Sequence, residues 1–247
     1  MRHQLIYFIL ALSACKTNNN AAALREAAPD APPVAVAEAC GRASAVGELC
    51  LAELKTLHPT QFAVGMKEVE QKAKKYRDLA TPEAKAQSLA ADPGMAAIGP
   101  AGEIYLVDHH HLFKALISEN VTHAPVKIVE NVADMSIDDF WRHMDGKGLV
   151  FPFDENGNGP LPTSQFPLTL ASLKDDPYRT LAGLVTARGG FTKVTVPFLE
   201  FRWARYFRPR VAIESGDAGM EKAVQAALAI SHAPEAKDLP GFIAPAP

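Results

Sequence analysis

Neither sign of charge dominates this sequence, in which 25 basic and 28 acidic side chains give a formal net charge of −3. A dedicated DNA-binding surface normally comes with a clearly basic domain, so this balance argues against one. Cysteine is scarce at three residues, and no Cys-x-x-Cys pair or neighbouring histidine indicates a catalytic thiol. The 247 residues, 48% of them hydrophobic, are typical of one globular domain with appendages.

The sequence also lacks a long apolar run near its amino terminus, where the apolar stretch at residues 5–12 is too short to span a bilayer. Because a basic residue precedes this stretch, residues 1–14 are predicted to be a cleaved signal peptide. The sequence Leu-Ser-Ala-Cys that ends at Cys15 resembles a bacterial lipobox. It predicts lipidation of Cys15 and an exported protein on the periplasmic face of the envelope, and Lys16 favours the outer membrane over the inner. The alternative is a plain secretory signal with an incidental cysteine.

Three further segments follow the predicted anchor. Residues 15–37 contain much alanine, asparagine and proline and few large apolar groups, so after the lipidated cysteine they are predicted to form a disordered tether. The domain is predicted at residues 38–232, and a Pro/Ala-rich tail at residues 233–247. Cys40 and Cys50 lie close together in the sequence, and in an oxidising compartment we expect them to form a disulfide. A buried pair of free thiols is the alternative.

Strands and helices alternate along the predicted domain. Helical periodicity, capping residues and stop signals predict helices at residues 66–79, 81–90, 108–118, 136–143, 176–188, 197–207 and 217–231. Apolar runs bounded by glycine or proline predict strands at residues 95–98, 103–107 and 125–129. This alternation assigns the chain to the mixed α/β (α+β) class.

Asp108 and three successive histidines, His109, His110 and His111, stand where a predicted strand passes into a helix. The first turn of a helix offers N–H groups without acceptors and a partial positive charge, so an anion can bind there. Histidines that titrate near neutral pH can transfer protons or hold a metal. The alternative is that exposed histidines cap the helix and have no functional role.

Three blocks of the sequence resemble the divergent ParB-like nuclease family, whose members are distant relatives of ParB and sulfiredoxin. The blocks are residues 57–65 with Glu68, Val69 and Lys72 beyond them, residues 107–111, and residues 173–183 with 198–204. The resemblance implies a compact core in which a small mixed sheet packs with helices, extended by C-terminal helices. It also implies that the histidine turn opens a helix and binds a phosphate-bearing group.

The same resemblance implies the site residues. The superfamily turn reads Asp-Gly-His-His-Arg, and here His109 replaces the glycine and Leu112 replaces the arginine. Arginine would supply a bidentate phosphate clamp that leucine cannot, so another cation has to take its place. The candidate catalytic residues are Glu68, Asp108, His110 and His111, and the candidate ligand-binding residues are His109, Lys114, Asp176 and Arg179.

Several roles stay open at the level of the sequence. The replacement cation is expected to be Lys114 or Arg179, and the spacing does not distinguish them. Glu68 or Asp108 would act as general base toward an attacking water or hydroxyl, in a hydrolase or a phosphotransferase. By composition alone, however, Glu68 is equally a solvated helix charge. For Asp176 and Arg179, a capped helix start is as well supported as a functional role.

The sequence specifies no metal site. His109 and His111 would share one face only in extended backbone, whereas zinc ligands are more often separated by a turn or a loop. A divalent ion such as Mg²⁺, held partly by substrate phosphates, would leave even less trace. Residues 154–159 match the opening of a calcium loop, but Gln165 stands where the bidentate glutamate belongs. An Asn-Gly turn is therefore the favoured interpretation.

Basic and aromatic side chains interleave at residues 188–210. Such a segment can stack on bases and neutralise phosphates, or bind anionic lipid. The spacing instead favours a core helix with a cationic outer face, because Leu199, Trp203 and Tyr206 share one helical side and Arg202 and Arg205 another.

Two functions remain. The first is an exported, lipid-anchored ParB-like nuclease that acts on a phosphoester, with a phosphate-bearing small molecule or nucleic acid as partner and the membrane as the site of its anchor. The second is a non-catalytic envelope lipoprotein that binds an anionic ligand or an unidentified protein partner. Chromosome partitioning is disfavoured, because an exported protein does not meet the chromosome and no helix-turn-helix module follows the core.

Overall fold

The computed structural model describes residues 38–245, in which strands and helices alternate. The strands are β1 (Leu49–Glu53), β2 (His58–Pro59), β3 (Ala63–Val64), β4 (Gly94–Ile98), β5 (Ile104–Asp108), β6 (His123–Asn131) and β7 (Lys174–Asp175). The helices are α1 (Met66–Arg77), α2 (Pro82–Ala91), α3 (His110–Ser118), α4 (Ile137–Gly146), α5 (Pro177–Ala187), α6 (Leu199–Phe207) and α7 (Gly216–Ser231). The predicted mixed α/β class is confirmed.

The main sheet has five strands in the order β1-β6-β4-β5-β2. The pairs β6–β4 and β5–β2 are parallel, and the other two pairs are antiparallel. Residues 96–98 of the central strand β4 are fully buried, because helices cover both faces of the sheet. One face packs against α1 and α3 in a core that includes Leu116 and Val126. The other face packs against α4 in a core that includes Tyr105 and Phe140.

Helices α5, α6 and α7 surround a second core, as the predicted C-terminal extension requires. In it Phe191 stacks on Trp203 with their ring centroids 4.2 Å apart. The indole Nε1 of Trp203 donates a hydrogen bond of 2.9 Å to the carbonyl oxygen of Pro240, and Ala236 is fully buried. The segment predicted as a tail from residue 233 therefore packs onto the domain.

Helix α6 has a buried side and a charged side. The buried side contains Leu199, Trp203 and Tyr206, and the exposed side contains Arg202 and Arg205. This distribution confirms the interpretation of the segment as a core helix with a cationic outer face. The helix begins at Leu199, two residues later than predicted, because Phe198 at its N-cap has left-handed backbone with φ 56°.

In the loop at residues 154–159, the side chain of Asp154 accepts hydrogen bonds from other residues of the same loop. Asp154 Oδ1 accepts hydrogen bonds from the N–H groups of Asn156 and Asn158 at 2.9 and 2.8 Å. Asp154 Oδ2 accepts a third from the side-chain amide of Asn158 at 2.9 Å. A calcium loop would direct these oxygens at a cation, whereas here amide groups occupy them. The interpretation as an Asn-Gly turn is therefore confirmed.

A disulfide joins Cys40 to Cys50, with their Cα atoms 5.0 Å apart, as predicted. It ties the segment before β1 to that strand, because Cys50 lies within β1 and is fully buried. The predicted signal peptide, the lipidation site at Cys15 and the tether lie outside the described residues. Within residues 38–245 no helix is both long enough and apolar enough to cross a membrane.

The histidine turn connects β5 directly to α3. Asp108 is the last residue of β5, so the helix begins at His110 and not at Asp108 as predicted. His109 forms the N-cap with φ 70° and ψ 21°, a left-handed conformation that glycine adopts without steric cost. The ring of His109 is held by Asp92, whose Oδ1 lies 2.8 Å from its Nε2. The structure therefore explains why the related turns carry glycine here and how a histidine is accommodated.

We expect the left-handed backbone at residue 109 to make His109→Val destabilising and His109→Gly tolerated. The left-handed conformation costs a side chain about 1–2 kcal/mol relative to glycine, and a β-branched residue is the least suited to it, so the valine variant should be less stable than the glycine variant by at least that much. Glycine relieves the strain, and the gain offsets the lost contact with Asp92 to within about 1 kcal/mol. Urea unfolding measures both variants, with exposed His123→Val in β6 as the control. Equal stability of the two His109 variants would contradict the assignment.

Candidate functional site

A cleft of about 750 Å³ lies between the histidine turn, α1, α5 and the segment before α6. Six of the site residues predicted from the sequence line it, namely Glu68, Asp108, His109, His110, His111 and Arg179. Lys114 and Asp176 do not. The tertiary structure thus brings together residues from three separate blocks of the sequence.

Arg179 supplies a buried cation to this cleft. Its residue is 7% exposed, and its guanidinium lies over the ring of Phe201 at 5.5 Å. Nη1 lies 3.2 Å from Glu68 Oε2 and Nη2 lies 3.7 Å from Glu200 Oε2. Within residues 38–245, however, neither Nε nor Nη1 makes a hydrogen bond of good geometry. A buried guanidinium with unused donors is able to bind a further anion. Of the two candidate cations, Arg179 lines the cleft and Lys114 does not.

Glu68 lies in the first turn of α1, where that helix approaches α3 and α5. Its Oε2 is 3.8 Å from His111 Nε2, and its Oε1 is 3.7 Å from Lys72 Nζ. With Arg179 on a third side, the carboxylate has positive charge close by and remains partly accessible from the cleft. Glu68 therefore lines the cleft as a partly buried carboxylate with cationic neighbours.

The imidazoles of His110 and His111 bind the protein's own backbone. His110 Nε2 accepts a hydrogen bond of 3.3 Å from the N–H of Thr60, and His111 Nε2 accepts one of 3.0 Å from the N–H of Gly65. The two residues are 3% and 8% exposed. Burial lowers the pKa of His110 from 6.5 to about 3, and burial together with nearby Arg179 lowers the pKa of His111 well below its ordinary value. Both rings are therefore neutral, and their Nε2 atoms face the protein.

The first turn of α3 lines the cleft. N–H groups in a helix's first turn have no acceptor within the helix, and in the described part of the chain those of His110 and His111 donate to no other group. They add the partial positive charge of a helix N-terminus. Asp108 stands at the rim beside them, with its side chain 65% exposed. In the described part of the chain, the turn thus has two backbone N–H groups without a protein acceptor, whereas both imidazole Nε2 atoms already have donors.

Lys114 and Asp176 have other partners. Lys114 Nζ donates a hydrogen bond of 2.8 Å to the carbonyl oxygen of Ala171. Asp176 Oδ1 accepts from the N–H groups of Tyr178 and Arg179 and so caps α5, while its Oδ2 lies 2.7 Å from Arg208 Nη2. The structure places Asp176 behind the site, where its cap fixes the start of α5 and with it Arg179.

Several cleft residues were not predicted from the sequence as site residues. Lys72 and Glu200 belong to the blocks that carry the family resemblance, so their sequence context gave a signal. Lys193 lies in the basic and aromatic segment at residues 188–210, whereas Glu130 and Lys147 gave no signal. Burial acts to raise the pKa of Glu130, but hydrogen bonds from His143 and Lys147 outweigh it and hold that pKa below its ordinary value. The end of the cleft near Glu130 is therefore already charge-compensated.

No metal centre is evident among the described residues. Within residues 38–245 no group of three histidine, cysteine, aspartate or glutamate side chains is arranged to hold an ion. Glu68 and Glu200 both lie near Arg179, which supplies their counter-charge.

The buried neutral histidines predict a loss of stability in mild acid. The pKa of His110 falls to about 3 on folding, so below its unfolded pKa of about 6.5 the unfolded chain binds the proton first. This histidine alone therefore lowers the free energy of unfolding by about 2 kcal/mol at about pH 5 relative to neutral pH. We expect His110→Gln, which keeps an acceptor for Thr60, to show a flatter pH dependence in urea unfolding. Exposed His123→Gln should retain the wild-type slope, and an unchanged slope in His110→Gln would refute the burial argument.

The comparisons with known proteins agree with this arrangement. A profile of the family described as "Putative ParB-like nuclease" matches residues 50–209, which include both walls of the cleft. The crystal structure of protein Atu1540 from Agrobacterium tumefaciens is similar over 81% of this chain and 98% of that one, with 33% sequence identity and a TM-score of 0.72. No curated protein matches the chain. The match covers well over half of the residues, and the chain therefore belongs to the ParB-like nuclease family.

Proposed function

We propose that the domain binds a phosphate-bearing ligand in the cleft and acts on a phosphoester bond there. One observation carries the proposal: the buried guanidinium of Arg179, with unused donors, shares a cleft with the first turn of α3. Arginine and helix N-termini are the two protein groups best suited to bind phosphate oxygens. Membership of a ParB-like nuclease family supports the same type of reaction.

The residues divide into a clamp and a base. Arg179 and the N–H groups of His110 and His111 would hold the phosphoryl oxygens, and Lys72 would add a second cation at the cleft wall. Glu68 would accept the proton of an attacking water or hydroxyl, whose oxygen bonds to phosphorus as the bond to the leaving oxygen breaks. Glu68 suits this role better than Asp108, because it lies beside Arg179 whereas Asp108 stands at the exposed rim.

We expect Glu68→Gln and Arg179→Lys to impair different steps. Loss of the general base should lower kcat by about 10²- to 10⁴-fold. Lysine keeps the charge of Arg179 but loses its bidentate donors, so its main effect should be a higher KM. The measurement is turnover of p-nitrophenyl phosphate, bis-p-nitrophenyl phosphate, nucleotides and oligonucleotides. Each substrate is tested with Mg²⁺ and with a chelator, because substrate phosphates can supply ligands to that ion.

Lys114→Gln is the matched control, since Lys114 lies outside the cleft and should keep wild-type kinetics. Loss of activity in Lys114→Gln equal to that in Arg179→Lys would contradict the proposed clamp. Absence of turnover by the wild type on every ester would remove the enzymatic proposal.

A second function, a binding protein without catalysis, is favoured by the histidines. Both Nε2 atoms are engaged by backbone N–H groups and both rings are neutral, so neither ring is placed to transfer protons. The cleft would then bind an anion through Arg179 and the helix N-terminus alone. Calorimetry with inorganic phosphate distinguishes the two cases, because binding without turnover in any assay supports this function.

We also propose that the chain is exported and anchored by a lipid on Cys15, on the periplasmic face of the outer membrane. The lipobox-like sequence before Cys15 supports this, as does the disulfide between Cys40 and Cys50. Disulfides persist in oxidising compartments and are rare in the cytosol.

Cys15→Ser is expected to abolish incorporation of a labelled fatty acid and to release the protein from the membrane fraction. The reason is that the sulfur of Cys15 is the acceptor for the lipid. The double variant Cys40→Ser/Cys50→Ser is the control, and it should still be labelled. Continued labelling of Cys15→Ser would disprove the anchor, and gradient separation of inner and outer membranes tests the location.

A further inference from the structure

Three neighbouring strands of the main sheet each contribute an aliphatic side chain to the cleft. These side chains are Met95 on β4, Val107 on β5 and Val129 on β6, and the strands lie side by side in the order β6-β4-β5. Val107 belongs to the core beneath α4 and Val129 packs against it, so that face of the sheet forms one side of the cleft. We call these three side chains, together with Leu149 and Val194, the aliphatic wall. The proposed phosphate clamp does not use them.

A bulge in β6 directs two successive residues to the cleft. Ala96 of β4 pairs with Ile128 and Ala97 pairs with Glu130, so Val129 is an extra residue in β6. In a regular strand successive side chains point to opposite faces, whereas Val129 and Glu130 both line the cleft. Bulges redirect side chains in this way and are frequent next to functional sites. The irregularity of β6 thus adds an aliphatic contact to the cleft.

The aliphatic wall begins directly beside the proposed phosphate clamp. Val107 immediately precedes Asp108 in β5, and Met95 is the residue that pairs with Asp108 across the sheet. The N–H groups of His110 and His111 follow at the start of α3. A phosphate held at the clamp would therefore have its ester substituent next to aliphatic side chains.

Two residues of the wall are more exposed than is usual for large apolar side chains. Met95 is 41% exposed and Val194 is 36% exposed. Because both line the cleft, a small ligand can cover them. Sites for small molecules are lined mainly by apolar side chains, with a few polar groups that fix the orientation of the ligand. The aliphatic wall and the phosphate clamp correspond to these two parts.

We propose that the cleft binds an alkyl phosphate, an amphiphilic ester whose phosphate occupies the clamp and whose aliphatic chain lies along the wall. This inference rests on the proposed function, because it names the class of ester that the cleft would receive. The clamp alone binds the phosphate group that all such esters share, so the wall would distinguish an alkyl ester from a more polar one. Apolar contact contributes affinity in proportion to the area removed from water, so longer chains should bind more tightly until the wall is covered.

A nucleotide fits this cleft less well. A base is bound by stacking on aromatic or guanidinium groups and by hydrogen bonds to its edges, whereas the wall consists of methionine, valine and leucine. The two phenyl rings in the lining, Phe198 and Phe201, already pack against Phe151 with ring centroids 5.3 and 4.4 Å apart. Gln61 also lines the cleft, but its Nε2 donates a hydrogen bond of 2.6 Å to the carbonyl oxygen of Ala63. The cleft is therefore better suited to an aliphatic chain than to a base.

The test is calorimetry of the full chain with methyl-, n-butyl- and n-octylphosphonate, whose carbon–phosphorus bond is not cleaved by phosphoester hydrolysis. Each methylene that the wall buries should tighten binding by a factor of about 4. The dissociation constant should therefore fall on the order of 10-fold or more from n-butyl- to n-octylphosphonate, measured below the concentration at which the octyl compound forms micelles. The heat-capacity change of binding should become more negative along the same series, because more apolar surface is buried.

The double variant Met95→Gln/Val194→Thr should reduce this gain in affinity to less than about 3-fold, because it places polar groups where the chain would lie. Both positions are exposed, so the variant should fold, which circular dichroism checks. Arg179→Lys should instead weaken all three phosphonates by a similar factor and keep the gain, since it alters only the clamp. The matched control, Met135→Gln/Val46→Thr, makes the same changes at exposed residues outside the cleft and should retain the wild-type gain.

Any of three results would overturn the proposal: equal affinity of the wild type for the butyl and octyl ligands, a full gain in Met95→Gln/Val194→Thr, or an equal loss of the gain in the control. Adenosine monophosphate that binds more tightly than n-octylphosphonate, and more weakly to Met95→Gln/Val194→Thr, would assign the wall to a base and overturn it as well. The proposed function fails separately, because absence of turnover of every ester removes catalysis and leaves the chain-length result standing. Turnover of small esters without an effect of chain length removes only the alkyl ligand.

Discussion

Two hydrogen bonds from backbone N–H groups to buried imidazoles hold the site together. Thr60 donates to His110 and Gly65 donates to His111, which fastens the histidine turn to the segment before α1. Each bond requires a neutral ring, because a protonated imidazole has no acceptor. Loss of either bond would leave a buried N–H without an acceptor, at a cost of about 1–3 kcal/mol. Burial enforces that state by lowering both pKa values. The position of α3 relative to Glu68 and Arg179 follows from these two contacts.

Charge compensation explains how the guanidinium of Arg179 can be buried at the cleft. Arg179 is buried between two carboxylates, and a buried charge is tolerated only with such partners. Its distances to Glu68 and Glu200 are those of ion pairs, yet two of its nitrogens retain unused donors. The guanidinium is therefore charge-compensated within the protein and keeps the free donors that the proposed phosphate clamp requires. Asp176 lies outside the cleft and helps to position Arg179, because it caps the first turn of α5, which contains Arg179.

The sequence predicted the elements well and the roles of individual residues less well. Proline at the start of α5, serine before α4 and the apolar periodicity of α1 are local signals, and the structure follows them. The histidines were predicted as chemical groups because imidazoles often act so. The structure shows both rings buried and bonded to backbone N–H groups. This burial depends on the segment at residues 60–65, which approaches only in the folded chain. Lys114 and Arg179 were equivalent candidates until the fold placed one inside the cleft and the other outside.

The sequence alone thus determined the alternation of strands and helices, the disulfide, the charged side of α6 and the family, because each depends on neighbouring residues or on motifs that can be read in order. Only the tertiary structure decided that Arg179 lies in the cleft and Lys114 outside it, and that both imidazoles accept hydrogen bonds from backbone N–H groups. These outcomes depend on contacts between residues that are distant in the chain, and on the burial those contacts create.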